Sequence, residues 1–349
     1  IRAGDEVKKQ NQACIACIEE LKNTNNYFFE LHIMTSLDLP EKMKGVGTAR
    51  KLAMDEAVRR FHLINRPDGI ILALDADCEV AENYFIAVYD SFLINPKTTS
   101  ASIYFEHPIK GKDYEKSHYA AIIEYELHLR YFKNAKTWAG FPDAFYTVGS
   151  SMAVRAKDYA KQGGMPRRQA GEDFYFIHKF TGLGNHIEIN DTCIYPSPRI
   201  SNRVPFGTGK AIGDMLMEKQ DFSTYAFETF KDIKQAIILI MDNLESSPQV
   251  IYKELPKSIQ SFESFQNFEK KWIEIKSNTS NSKQFKSRFF KWWNAFWVMK
   301  YAHFCRDHFY PNVPTNKAAL ELLETLKIDF SSIQIEVLEV YRKLDKKLT

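Results

Sequence analysis

Gly69–Val80 reads "GIILALDADCEV": a short apolar run that leads straight into Asp75-Ala76-Asp77. The apolar half has the look of a buried strand. Two carboxylates one residue apart at its end repel each other, and neither tolerates burial without a positive partner. Along an extended strand they point to the same side. At a strand's C-terminal end they face the crevice where open α/β sheets hold ligands. The stretch therefore calls for a cation or for chemistry that needs adjacent acids. Oxygen-only ligands suit Mg²⁺ or Mn²⁺, ions that take few protein carboxylates and complete their shell with water and substrate phosphate.

Working outward, helical and strand patterns alternate. Residues 4–23 carry a helical period. "YFFELHIM" (27–34) reads as a strand, and "KGVGTAR" (44–50) as a glycine loop entering a helix. In that helix Thr48 is the expected N-cap, with Ala49, Leu52, Ala53, Ala57 and Phe61 inward. After the Asp75 strand come a strand at 101–108, a helix over 114–132, a strand and helix in "YTVGSSMAVRAKDYAKQGG", a helix in "GEDFYFIHKFTGLG", and a strand in "HIEINDTCIYPS". The alternation predicts an α/β fold, a Rossmann-type, mostly parallel sheet flanked by helices. From Gly213 helical periods take over. The expected division is a catalytic domain over 1–212 and a mainly helical region over 213–349, separate or packed on the first.

The 349 residues suffice for a sizeable core, and 47 basic against 44 acidic residues leave a net charge of +3, too even to point to nucleic acid. The 5 cysteines suit a reducing compartment. Cys14 and Cys17 form C-x-x-C within a helix, with no second cysteine pair, so packed free thiols are expected rather than a redox or zinc site. No apolar run approaches a membrane span, no signal peptide is read, and a cytoplasmic protein is expected.

Three further segments carry chemistry. Gly45 and Gly47, before a helix N-terminus and between Lys44 and Arg50, are suited to a diphosphate. Glu172 and Asp173 follow Gly171 at a helix start, where the dipole favours ionised carboxylates and one of them can act as a base. "YPSPRISNRVPFGTG" places Arg199 and Arg203 in a proline-bracketed stretch, a substrate loop or a linker.

The order of these pieces, a glycine loop with Arg, an apolar strand ending D-x-D, "GSSMAVR" and "GED", resembles family 2 glycosyltransferases of the GT-A fold over about residues 40–210. The resemblance implies an inverting transfer, of hexosyltransferase type, from a nucleotide sugar, a UDP-sugar first, to a glycan or lipid-linked acceptor hydroxyl. It implies that Lys44, Gly45, Gly47, Arg50, Asp75, Ala76 and Asp77 serve the donor. Asp77, with Asp75, would hold Mn²⁺ or Mg²⁺, and His186 is a further candidate ligand. Gly149, Ser150 and Ser151 would line the acceptor and donor-sugar side, with Arg199 and Arg203. Asp173 would be the base and Glu172 its neighbour. Family members begin with a strand and loop that grip the nucleotide base. That element is not found before the first helix here: either the numbering starts inside the domain or the nucleotide site is incomplete. The Q-x-x-R-W of processive members is absent.

Two rival readings stand beside this. "LDADCEV" also looks like the D-x-D-x-x-V of haloacid-dehalogenase-type phosphatases, with Asp75 as nucleophile and Asp77 as general acid. Alternatively the chain binds a glycan or a partner without catalysis. Finally, "KQFKSRFFKWWNAFWVMK" (283–300) predicts one helix with Phe285, Phe289, Trp292, Trp293 and Phe296 on a stripe beside Lys283, Lys286 and Lys291. That stripe is expected to pack in the core, or else to touch an anionic membrane.

Overall fold

The computed structural model describes residues 5–25, 27–36, 39–40, 45–201, 205, 207–218 and 222–347. The first part of the chain runs α1 (Asp5–Thr24), α2 (Val46–Leu63), β1 (Ile70–Ala73), β2 (Cys78–Val80), α3 (Tyr84–Ile94), β3 (Ser100–Phe105), α4 (Lys116–Trp138), β4 (Met152–Arg155), α5 (Ala156–Lys161), α6 (Glu172–Thr181) and β5 (His186–Pro196). The second part runs α7 (Thr208–Glu218), β6 (Ser223–Thr224), α8 (Phe227–Asp242), α9 (Pro248–Glu254), α10 (Lys257–Phe262), α11 (Phe265–Ser277), α12 (Ser282–Trp292), α13 (Ala295–His308), β7 (Val313–Pro314), α14 (Thr315–Leu326) and α15 (Gln334–Lys347).

The fold is α/β, but its sheet is mixed. The strand order is β1-β4-β3-β5-β2. Only β3 and β5 run parallel, while β1–β4, β3–β4 and β2–β5 are antiparallel. The expected mostly parallel sheet is corrected. An apolar run records that a strand is buried, not the direction of its neighbour. β3 is buried along its whole length, as a central strand covered on both faces must be. Side chains alternate across the sheet. Ile71, Ala73, Met152 and Val154 face Met54 of α2 and Phe176 and Phe180 of α6. Ala101, Ile103, Phe105 and Ala153 face Tyr84, Val88 and Phe92 of α3.

The third layer is built on α4. Its Leu127, Tyr131 and Ala135 pack with Phe227, Phe230 and Ile237 of α8, Leu322 of α14 and Tyr341 of α15 in the largest apolar cluster. Charge joins the same elements. Arg130 is fully buried and bonds Glu126, the carbonyl of Phe105 and, at 2.6 Å, Asp345 of α15. Asp345 also accepts from Tyr146 at 2.6 Å and Asn134 at 3.0 Å.

Four local expectations change. "YFFELHIM" forms no strand. It has no sheet partner among the described residues, and Phe28 is 98% exposed. A strand pattern without a ladder leaves its backbone groups to water. Cys14 and Cys17 are free but exposed on α1 rather than packed. The second helix starts at Val46 with Gly45 as N-cap, so Thr48 lies buried in the first turn. Ala57 and Phe61 turn inward as expected, but Ala49 and Ala53 are exposed, and Met54 and Val58 complete the inner face instead. Residues 283–300 form two helices, α12 and α13, not one. Asn294 breaks them and caps the second by accepting from the N–H groups of Phe296 and Trp297 at 3.0 and 3.1 Å. Phe285, Phe289 and Trp293 are 2%, 0% and 1% exposed and Trp292 and Phe296 partly buried, so most of the stripe packs in the core. No described helix is long and apolar enough to cross one.

Candidate functional site

Asp75-Ala76-Asp77 lies on a turn rather than on an extended strand. β1 stops at Ala73, and the N–H of Cys78 closes the turn onto the carbonyl of Asp75 at 3.1 Å. The turn carries the chain from β1, at one edge of the sheet, to β2, at the other. Each carboxylate has its own guanidinium. Arg50 of α2 donates to Asp75 at 2.7 Å, and Arg199, in the loop after β5, donates to Asp77. The repulsion read from the sequence is thus answered by two arginines from elements far apart in the chain.

Arg50 has a second partner, the Glu172 carboxylate at the start of α6. Burial opposes the charge on Arg50, but Asp75 and Glu172 outweigh it and raise its pKa. The guanidinium lies over Gly149, where an added Cβ would come within 2.3 Å of it. Gly149 is therefore glycine because Arg50 needs the space. In this way one arginine joins the D-x-D turn, the "GSS" segment and the "GED" helix.

Asp173 is next in line. α6 starts where the sequence placed it, with Gly171 as N-cap in the left-handed region at φ 69°. Glu172 is buried against Arg50, whereas Asp173 is only partly buried and accepts from the N–H of Phe174 at 2.7 Å. Loss of water, then the neighbouring Glu172 charge, push the Asp173 pKa up to about 6, against the helix N–H and Arg50, which lower it. The helix end was expected to keep this acid low, but desolvation wins. The charge of Asp173 is also felt by Tyr125 of α4, whose hydroxyl burial pushes up to about 12.

Other expected residues take different places. Gly45 and Gly47 do not open toward an anion. They abut residues 166–169, and the N–H of Gly47 already donates to the carbonyl of Arg168 at 3.1 Å. A Cβ on Gly47 would sit 2.5 Å from the Pro166 carbonyl oxygen. Ser150 and Ser151 are 4% and 1% exposed. Both are closed off from the surface, and the N–H of Ile103 donates to the Ser151 carbonyl, which ties this segment to β3. Arg199, expected on the acceptor side, is on Asp77. Ala76 is exposed in the turn. Lys44 and Arg203 lie outside the described residues.

His186 is not a metal ligand. It starts β5 opposite Ser100, whereas Asp77 precedes Cys78, which pairs with Pro196 at the far end of that strand. Ten residues of strand span about 30 Å. Its nitrogens lie 2.8 Å from the Ser100 hydroxyl and 3.0 Å from that of Ser102, and burial lowers its pKa to about 3. It is a core histidine. Among the described residues no three His, Cys, Asp or Glu side chains gather around one point.

Two residues near the site were missed. Arg168 stacks on the Tyr175 ring at 3.4 Å, beside the catalytic-helix candidate. A signal for it existed, a pair of arginines just before the acidic "GED". Tyr125 had none, because its place depends on how α4 packs against α7. Comparison of the chain with protein-family models, with curated proteins and with solved structures finds no match.

Proposed function

We propose that the chain is a metal-dependent inverting glycosyltransferase, moving a sugar from a nucleotide-sugar donor to an acceptor hydroxyl. The observation that carries this reading is the double contact of Arg50, which ties Asp75 to Glu172 and so sets the D-x-D turn beside the helix of Asp173. Transfer from a sugar nucleotide needs both ends of that pair: cation sites for a leaving diphosphate, and a base for the incoming hydroxyl.

Asp75 and Asp77 fit a divalent cation. They are oxygen donors on one turn, and their side chains are 47% and 36% exposed, open to an ion that shares its shell with water and phosphate. Such an ion, when bound, supplies charge neutralisation for the departing diphosphate. The protein does the rest. Arg50 keeps Asp75 fixed and holds α6 against the turn. Asp173 accepts the acceptor's proton as its oxygen attacks opposite the leaving group. A carboxylate near pH 6 suits this work, since a base is most effective with its pKa close to the working pH. Glu172 is committed to Arg50 and plays no part in proton transfer.

The phosphatase alternative is less well supported. It needs Asp75 free as a nucleophile, but Asp75 is ion-paired and its strand lies at the sheet's edge. Thermal-shift assays over a panel of UDP- and GDP-sugars, with Mn²⁺ or with EDTA, test the proposal. Stabilisation by one sugar nucleotide with Mn²⁺ supports it. Phosphate release from an aryl phosphate, without any nucleotide effect, overturns it.

A further inference from the structure

The two arginines at the D-x-D turn are held very differently. The Arg50 side chain is 14% exposed and gripped by two carboxylates over Gly149. The Arg199 side chain is 42% exposed and, among the described residues, has one carboxylate partner, Asp77, itself 36% exposed. The backbone on both sides of Arg199 is anchored. His118 Nε2 lies 2.6 Å from the carbonyl oxygen of Pro198, and the N–H of Ser201 donates to Gly209 at 3.1 Å. The guanidinium can therefore change partner while the backbone at Pro198 and Ser201 stays tied.

We propose that Arg199 is an exchangeable counter-ion. It neutralises Asp77 in the ion-free site and moves to the donor's diphosphate when Asp77 serves a divalent cation. This rests on the transferase reading above. Three physical points support it. An exposed ion pair is weak, so it yields without much cost. A divalent charge at Asp77 repels a guanidinium at the same oxygens. The guanidinium fork matches the oxygens of a phosphate in pairs, so the displaced side chain has a partner of the right shape within the same site. Arg50 cannot do this, because leaving would strand the buried Glu172 carboxylate. One arginine is thus a fixed positioning residue, and the other is shared between the protein and its ligand.

Mn²⁺ binding, followed by electron paramagnetic resonance of the free ion, reads this directly. Arg199→Gln should bind Mn²⁺ alone about threefold to tenfold more tightly than the wild type, because the competing cation is gone. In calorimetry the same variant should bind UDP, with Mn²⁺ present, about tenfold more weakly. Arg199→Lys, which keeps the charge but not the fork, should lie between them for UDP. Equal or weaker Mn²⁺ binding by Arg199→Gln, with measurable binding in the wild type, overturns the exchange and leaves the transferase reading intact. Absence of both Mn²⁺ and UDP binding in the wild type overturns the transferase reading and the exchange with it.

Discussion

At the scale of single residues, the proposed transfer turns on which carboxylate is free to accept a proton. Glu172 and Asp173 are adjacent on a helix and point about 100° apart, so one faces Arg50 and the other does not. Asp173→Asn should lower turnover by about 10²-fold or more, with donor affinity nearly unchanged. Steady-state kinetics with direct nucleotide calorimetry checks this, and near-normal turnover excludes Asp173 as the base. The pH dependence follows from its raised pKa of about 6. The active form is the carboxylate, so kcat/KM should fall as pH drops through about 6 and stay level above it. A profile flat down to about pH 4.5 contradicts the desolvated setting of this acid. Glu172→Gln should act otherwise, loosening Arg50 and weakening both stability and donor binding. The pairing of acids with "GED" and D-x-D was legible in the sequence. What each acid touches was not, because the partners Arg50 and Arg199 lie 122 positions from Glu172 and Asp77 respectively.

At the scale of elements, the glycines show what periodicity leaves out. Gly47 was read as an opening for phosphate, yet its lack of a side chain serves the close contact with residues 166–168. The start of α2 and the segment leading into α6 are therefore one packed unit. Gly47→Ala places a methyl group against a backbone carbonyl that has no easy way to move, and should cost about 1–3 kcal/mol. Gly149→Ala meets the far end of an arginine side chain instead. It should cost less stability but should displace Arg50 and weaken donor binding. Thermal melts and nucleotide calorimetry on both variants separate these outcomes, and identical behaviour of the two contradicts the assignment. Existence of most elements was readable from apolar spacing, including β3, β4, β5, α4 and α6. Strand direction and the break at Asn294 were not. The first depends on the neighbouring strand and the second on a side-chain cap that competes with a continuous helical pattern.

At the scale of the molecule, the C-terminal helix is bound to α4 by buried charge. Asp345 is 1% exposed and answers Arg130, Lys133, Asn134 and Tyr146. Asp345→Ala would take one of two carboxylates from each of the buried cations Arg130 and Lys133, leaving Glu126 and Glu188, and should cost about 3 kcal/mol in urea denaturation. A loss below about 1 kcal/mol contradicts this. No sequence signal marks that network, since it joins residues some 200 positions apart. Acid should also unfold the protein. Burial lowers His128 to about 4 and His178 and His186 to about 3. The unfolded chain binds these protons near pH 6.5 and the folded one does not, so stability is whole above that value and is lost as pH falls toward 3. The central claim, however, is that the Asp75–Asp77 turn and the α6 start make one metal-dependent donor site. Calorimetry with the sugar nucleotide that the donor panel selects, on wild type and Asp77→Asn, tests it most directly. Binding that requires Mn²⁺, vanishes with EDTA, and is lost in a folded Asp77→Asn variant is the predicted result. Unchanged binding with EDTA, or in Asp77→Asn, would contradict the account.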